Sequence, residues 1–165
     1  MSLPFNDFVA FASQQLRRNS GIAGRERVRQ ALEETLLHPT TIAQVGDDQP
    51  QRRVLYHDPE VGFEILGHVF PGARRTQPHD HGPTWAIYGQ VAGTTTMDEW
   101  DILSEPVGDE PGKVHLAWSF PLTPGRVHLY NEGVLHAPRR EAPAKLIRIE
   151  GPGLEAAVRR AWEVA

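Results

Sequence analysis

From Arg52 onward the chain is cut at near-regular intervals into short, β-prone runs. Arg52 to Tyr56, Gly62 to Phe70, Trp85 to Val91, Thr94 to Trp100, Val114 to Phe120, Val127 to Tyr130, Val134 to Ala137 and Lys145 to Glu150 all read as strands. Between them stand "HDPEVG", "PGARR", "HGP", "VAG", "EPVGDEPG", "TPG", "NEG" and "EAP", whose Gly, Pro, Asn and Asp residues supply turns. Many short strands at such spacing predict a β-sandwich or barrel, and 15 glycines and 14 prolines in 165 residues fit that reading.

The first third has a different texture. Phe5, Phe8, Val9, Ala12 and Leu16 recur at helical spacing over residues 3–18, with Ser2 and Pro4 suited to the start. A second helix fits 25–37, where Val28, Ala31, Leu32, Thr35 and Leu36 form one stripe, and Pro39 stops it. Both stripes are expected to pack on the core. "VGDDQPQ" reads as a polar linker, and "PGLEAAVRRAWEVA" as a short closing helix. The expected organisation is a single domain over 1–165, with a helical segment at 1–38, a barrel at 50–151 and the closing helix at 153–164.

Composition excludes several function classes. Without cysteine there is no disulfide, thiolate metal site or Cys nucleophile. A net charge of −4 gives no reason to expect nucleic acid or an anionic membrane as partner. No apolar run is long enough to cross a bilayer, and the N-terminus lacks the layout of a signal peptide, so a cytoplasmic location is expected. No phosphate loop or Gly-x-Ser-x-Gly elbow is present. The carboxylates of "MDEWD" read as a solvated face and the four tryptophans as core or interface anchors.

The histidines are more informative. His38 and His57 fall at a helix end and in a turn, and His68 and His115 within strands. His79 and His81 are two residues apart, so in extended chain their rings point to one side, about 6–7 Å apart at the backbone. Two metal bonds of about 2 Å can meet from there, and neutral imidazole is the commonest metal ligand. A third ligand has two candidates of the same local form, Gly-x-x-His: His128 after Gly125 and His136 after Gly133. His136 is favoured, with one strand left after it, and His128 is then packed or hydrogen-bonded near the site.

"GARRTQPHDHGPTWAIYGQVAG" resembles the first motif of the cupin superfamily, and "GVLHAP" resembles the histidine of its second motif. Within that superfamily the chain is most similar to cysteine dioxygenase and related thiol dioxygenases over roughly residues 50–151, and the two N-terminal helices also suit them. The resemblance implies a double-stranded β-helix (jelly-roll) barrel, and a metal held by His79, His81 and His136. Most cupins add a glutamate four or five residues after the second histidine. Those positions are Trp85 and Ala86 here, as thiol dioxygenases also lack it, so the implied ligand set is three neutral histidines. Such an ion keeps its full charge and open positions.

The same resemblance gives Arg53 as the anchor of a substrate carboxylate, a role suited to a guanidinium fork. The family's Ser, His and Tyr on the last barrel strand are absent. "KLIRIEG" places Arg148 near the His position and Glu150 near the Tyr position, and Ala86 replaces the cysteine that some members cross-link to that tyrosine. Tyr88 would face inward and supply a phenol, and Arg148 would join it at the substrate. The expected function is a dioxygenase, with Fe(II) as cofactor and a small-molecule substrate and O2 as partners. An isomerase or lyase using Zn, Ni or Mn as Lewis acid, or a small-molecule-binding cupin without activity, are the alternatives. Cupins often pair, so a homodimer is implied.

Overall fold

The computed structural model describes residues 3–154 and 157–165. Helix α1 spans Phe5–Arg18 and α2 spans Ile22–Thr35. The expected stripes are the buried ones: Phe5, Phe8, Ala12 and Leu16 on α1, and Val28, Leu32 and Thr35 on α2. Asp7 in the first turn of α1 and Arg17 and Arg18 in its last complement the helix dipole. The start of α1 is capped from afar, since the Phe5 N–H donates to Thr40 Oγ1 at 3.0 Å. Ser2, expected at that start, lies outside the described residues.

Helix α2 ends at Thr35, two residues before the expected end and ahead of Pro39, and Pro39 begins a short helix, α3, at Pro39–Ile42. Its ring pre-sets φ at the first helical position, where no N–H is needed. The His38 ring accepts from the Thr40 N–H as cap. A 3₁₀ turn at Ala43–Val45 then leads into the barrel.

Ten strands follow among the described residues: β1 Arg52–His57, β2 Glu64–Phe70, β3 Arg74–Arg75, β4 Ala86–Ala92, β5 Thr95–Ser104, β6 Gly112–Leu122, β7 Val127–Tyr130, β8 His136–Arg140, β9 Ala144–Glu150 and β10 Trp162–Val164. They form two five-stranded sheets, in the orders β1-β2-β9-β4-β7 and β10-β6-β5-β8-β3. Apart from β1 and β10 at the edges, β2-β9-β4-β7 and β3-β8-β5-β6 remain. Strands β2 to β9 pass back and forth between the sheets, with β5 and β6 as a hairpin within one of them. This is the order of an eight-stranded jelly roll, the double-stranded β-helix.

Side-chain alternation divides the first sheet cleanly. Ile65, Ile87, Ile147 and Ile149 point outward and form one core with Phe8, Leu16, Val28 and Leu32 of the helices. Ala86, Tyr88, Tyr130 and Leu146 point inward and pack with Met97 and Leu122 of the opposite sheet. The helices thus cover one face, leaving the barrel interior free for polar chemistry. Gly89 lets this happen closely, since a methyl group there would press on Leu32 and Leu36.

The expected closing helix is corrected. Trp162–Val164 pairs in parallel with Gly112–Val114 as an edge strand. The Gly112 N–H donates to Ala161 O at 3.0 Å and the Ala165 N–H to Val114 O at 2.9 Å. The free edge of β6 offers partners that outweigh local helix propensity. The bare Cα of Gly112 also leaves room for the Trp162 ring. Glu155 and Ala156, within the expected helix, lie outside the described residues.

Candidate metal centre

The histidine pair sits in a turn, stitched to the sheet at one point. His79 and His136 form an isolated antiparallel bridge and exchange both backbone bonds, His79 N–H to His136 O at 3.0 Å and His136 N–H to His79 O at 2.9 Å. Residues so paired present neighbouring side chains on one face, which brings together ligands 57 positions apart in sequence. Asp80 holds the loop: its carboxylate accepts the Gly82 N–H at 2.9 Å and pairs with Arg160 at 2.8 Å. Gly82 has a φ of +58°, a left-handed turn that glycine makes without strain. His81 is thereby folded back beside His79.

The ligand nitrogens of His79, His81 and His136 all lie within 4.8 Å of one another. Donors sharing one ion through bonds of about 2.0–2.1 Å stand roughly 3–3.5 Å apart, so a small inward movement closes the set. The His79 Nδ1 lies 2.8 Å from Gln77 O and the His136 Nδ1 3.0 Å from Val134 O. Each carbonyl accepts the Nδ1 proton and leaves the Nε2 lone pair for the centre, the outer support that histidine metal ligands use. The Tyr130 ring stacks on His136 at 3.9 Å and nearly parallel, fixing its plane. His136 is fully buried. The donor set therefore fits one divalent ion.

The electrostatics also suit a metal. Burial, and then Arg148, push His81 down to about 3. Burial, and then the two neighbouring histidines, hold His136 well below the usual range, and burial likewise lowers His79. All three rings are neutral at pH 7, as metal ligation requires. The Tyr88 hydroxyl completes the centre, 3.3 Å from Nε2 of both His81 and His136. Burial raises its phenol above the ordinary value, so it is protonated. Arg148 lies over the Tyr88 ring at 5.0 Å.

No carboxylate joins the cluster among the described residues. Trp85 packs in the outer core against the helices, and Ala86 faces the interior. Glu150, across the sheet from Ala86, is taken up by Arg148 at 3.2 Å and Arg52 at 3.7 Å.

One expectation changes with register. Arg53 is not brought to the cavity. It is paired with Gly67, on the outward face, and donates to Gln44 O at 3.1 Å and Gln44 Oε1 at 3.3 Å. Its neighbour Arg52, opposite His68, points inward and lines the cavity. One residue of shift reverses every side chain in a strand. His128, as expected, is outside the cluster and packed near it. It lies 3.4 Å from Glu99 and against Phe120 and Tyr130, beside the ring that stacks on His136.

Arg52, His68, Arg74, Arg140 and Arg159 line the cavity without having been expected there, and a sequence signal exists for Arg140 and His68. Their signal was parity. His136, Pro138 and Arg140 alternate along β8, so Arg140 shares the face of the ligand, and His68 shares its face with Phe70. A larger open groove of about 660 Å³ beside α1, lined by Ser13, Arg17 and Tyr56, shares no residue with this cavity.

No family model matches the chain, and no curated protein matches it. Solved structures do. A cupin-2 domain protein from Shewanella frigidimarina shares 16% identity over 64% of this chain and 84% of that chain, at a TM-score of 0.45. KdgF from a Halomonas species shares 17% over 65% and 85%, at 0.45. A protein with a double-stranded beta-helix domain from Klebsiella pneumoniae shares 12% over 72% and 83%, at 0.48. Likeness at this level carries no argument, and the strand order assigns the fold by itself. The molecule is a double-stranded β-helix. Inside it stands a three-histidine cluster able to hold a metal ion.

Proposed function

We propose that the protein is a mononuclear non-haem iron dioxygenase acting on a small anionic substrate, a thiol or another carboxylate-bearing compound. The observation that supports this most is the all-neutral donor set of His79, His81 and His136. With no carboxylate among the ligands, a ferrous ion there would keep its charge and open positions, and would supply binding and activation of O2 next to an anionic substrate atom. For a thiol, both oxygen atoms end on sulfur as a sulfinate, so the overall reaction needs no outside reductant.

The chain's own groups divide the remaining work. Arg148 and Arg52 stand where a carboxylate can be bound, and their charge orients it. Tyr88 holds its proton 3.3 Å from two ligand nitrogens, where it can donate a hydrogen bond to a substrate or oxygen atom entering the centre. It takes the place of the tyrosine that Glu150 displaces on the last strand. Phe70 and Leu146 give the cavity an apolar wall that limits water.

A second reading rests on the same phenol. A proton donor beside a Lewis-acidic Zn, Ni or Mn ion also serves an isomerase or lyase. Oxygen-electrode measurements with iron-loaded protein and cysteine, cysteamine, 3-mercaptopropionate and mercaptosuccinate separate the two. The dioxygenase reading expects O2 uptake matched by sulfinate. No uptake with any thiol, together with anaerobic turnover in the Zn or Ni form, supports the second reading and contradicts the first.

A further inference from the structure

The cavity over the histidines carries more positive charge than one carboxylate needs. Its volume is about 270 Å³, below the roughly 300–1,000 Å³ of sites for drug-sized ligands, so its occupant is small. Arg52, Arg74, Arg140, Arg148 and Arg159 enter it from β1, β3, β8, β9 and the C-terminal segment, and no acidic residue is among its lining side chains. Glu150 meets Arg148 and Arg52, which leaves a surplus of guanidinium.

Arg140 shows the imbalance best. It is 4% exposed, and its Nε is buried with no hydrogen-bond partner. It makes no ion pair among the described residues. Its guanidinium rests on the Phe70 ring at 3.9 Å, an attraction that holds it but accepts none of its hydrogen bonds. Burial, and then Arg74 and Arg148, lower it to about 10, so it stays charged at neutral pH. A buried, unpaired cation is costly unless an anion joins it. His68 registers the same field: burial, and then Arg148, Arg52, Arg140 and Arg74, push it down to about 3, and its Nε2 is also buried without a partner. The polar groups left open at this wall include Nε of Arg140, Nε of Arg148 and one imidazole nitrogen of His68, which suits a planar, two-oxygen anion.

We propose that the cavity binds a small dicarboxylate, one anionic end directed to the histidine cluster and the other held by Arg140 with Arg148. The placement of the first end rests on the metal-centre reading. The second end rests only on the arginines. A substrate whose only anionic group is one carboxylate at the histidine cluster would leave Arg140 unpaired, so the cavity discriminates against it.

Calorimetric titration of the zinc-loaded protein tests this, with succinate against butyrate and mercaptosuccinate against 3-mercaptopropionate. The dicarboxylate is expected to bind at least ten-fold more tightly within each pair. Arg140→Gln is expected to erase that preference, and Arg140→Lys to restore part of it. Equal affinity in the wild-type protein overturns the proposal whatever the variants do. Tighter binding of 3-phosphonopropionate than of succinate overturns the dicarboxylate assignment. The oxygen-electrode result decides the other reading separately. A dicarboxylate preference without O2 uptake leaves this inference standing and removes the dioxygenase. Uptake without the preference does the reverse.

Discussion

Tyr88 is the residue whose position says most about chemistry, because a protonated phenol stands within 3.3 Å of two ligand nitrogens in a buried wall. Tyr88→Phe removes one oxygen and leaves the ring that packs against Tyr130. The variant is expected to bind metal in the same stoichiometry and melt close to wild type, while turnover falls about 100-fold, the usual worth of a positioned proton donor. Unchanged turnover would show the phenol to be only packing. Tyr88 and Arg148 were legible in the sequence because they alternate with outward-facing apolar residues on β4 and β9. The histidine pair was legible by its spacing, although it occupies a bridged turn and not a strand. Of the arginine wall, Arg140 was open to a parity argument from His136, but Arg52 was not legible. Arg52 and Arg53 differ by one position, and only the pairing with β2 decides which of them faces inward.

At the level of elements, Asp58 ties α1 to the turn between β1 and β2. Its carboxylate accepts N–H bonds from Glu60 at 2.9 Å and Val61 at 2.8 Å, a bond from the Tyr56 hydroxyl at 3.1 Å and one from Arg17 at 3.1 Å. Burial works to raise this carboxyl, but the bonds from Val61, Ser13, Glu60 and Arg17 outweigh it and hold it well below the usual range. A folded value below the unfolded value of about 3.9 means that the stabilisation is complete above that pH and is lost as pH falls through the folded value. Melting temperatures followed by circular dichroism are expected to hold near neutrality and to drop below about pH 4, with Asp58→Asn less stable at pH 7 and flatter toward acid. An acid limb as steep as that of wild type in the Asn variant would assign it to other groups.

The turn that carries the chain from β4 in one sheet to β5 in the other depends on Gly93, whose φ is +68° and where a methyl group would overlap the Pro143 carbonyl. Gly93→Ala is expected to cost about 2–3 kcal/mol in urea unfolding, from backbone strain together with the clash. A cost under about 0.5 kcal/mol would mean that the turn relaxes freely. Turn residues such as this one made the eight-strand rhythm readable. The two-residue β3 and the edge strand β10 were not readable, since each exists only through a distant partner, β8 and β6 respectively.

The whole molecule separates its tasks by layer. Helices seal the outer face of one sheet, and the interior between the sheets is left for three neutral imidazoles, a phenol and an arginine wall. The jelly-roll order brings the HDH turn and β8 side by side, so the metal centre is a product of topology as much as of motif. Its most direct test is elemental analysis by plasma mass spectrometry of wild-type protein and of His136→Ala, each reloaded with ferrous ion or zinc after chelation and desalted. One equivalent of metal per chain is expected in the wild type, and less than a tenth of an equivalent in the variant, with circular dichroism showing both folded. Full occupancy in the folded variant, or none in the wild type, would contradict a centre built on His79, His81 and His136.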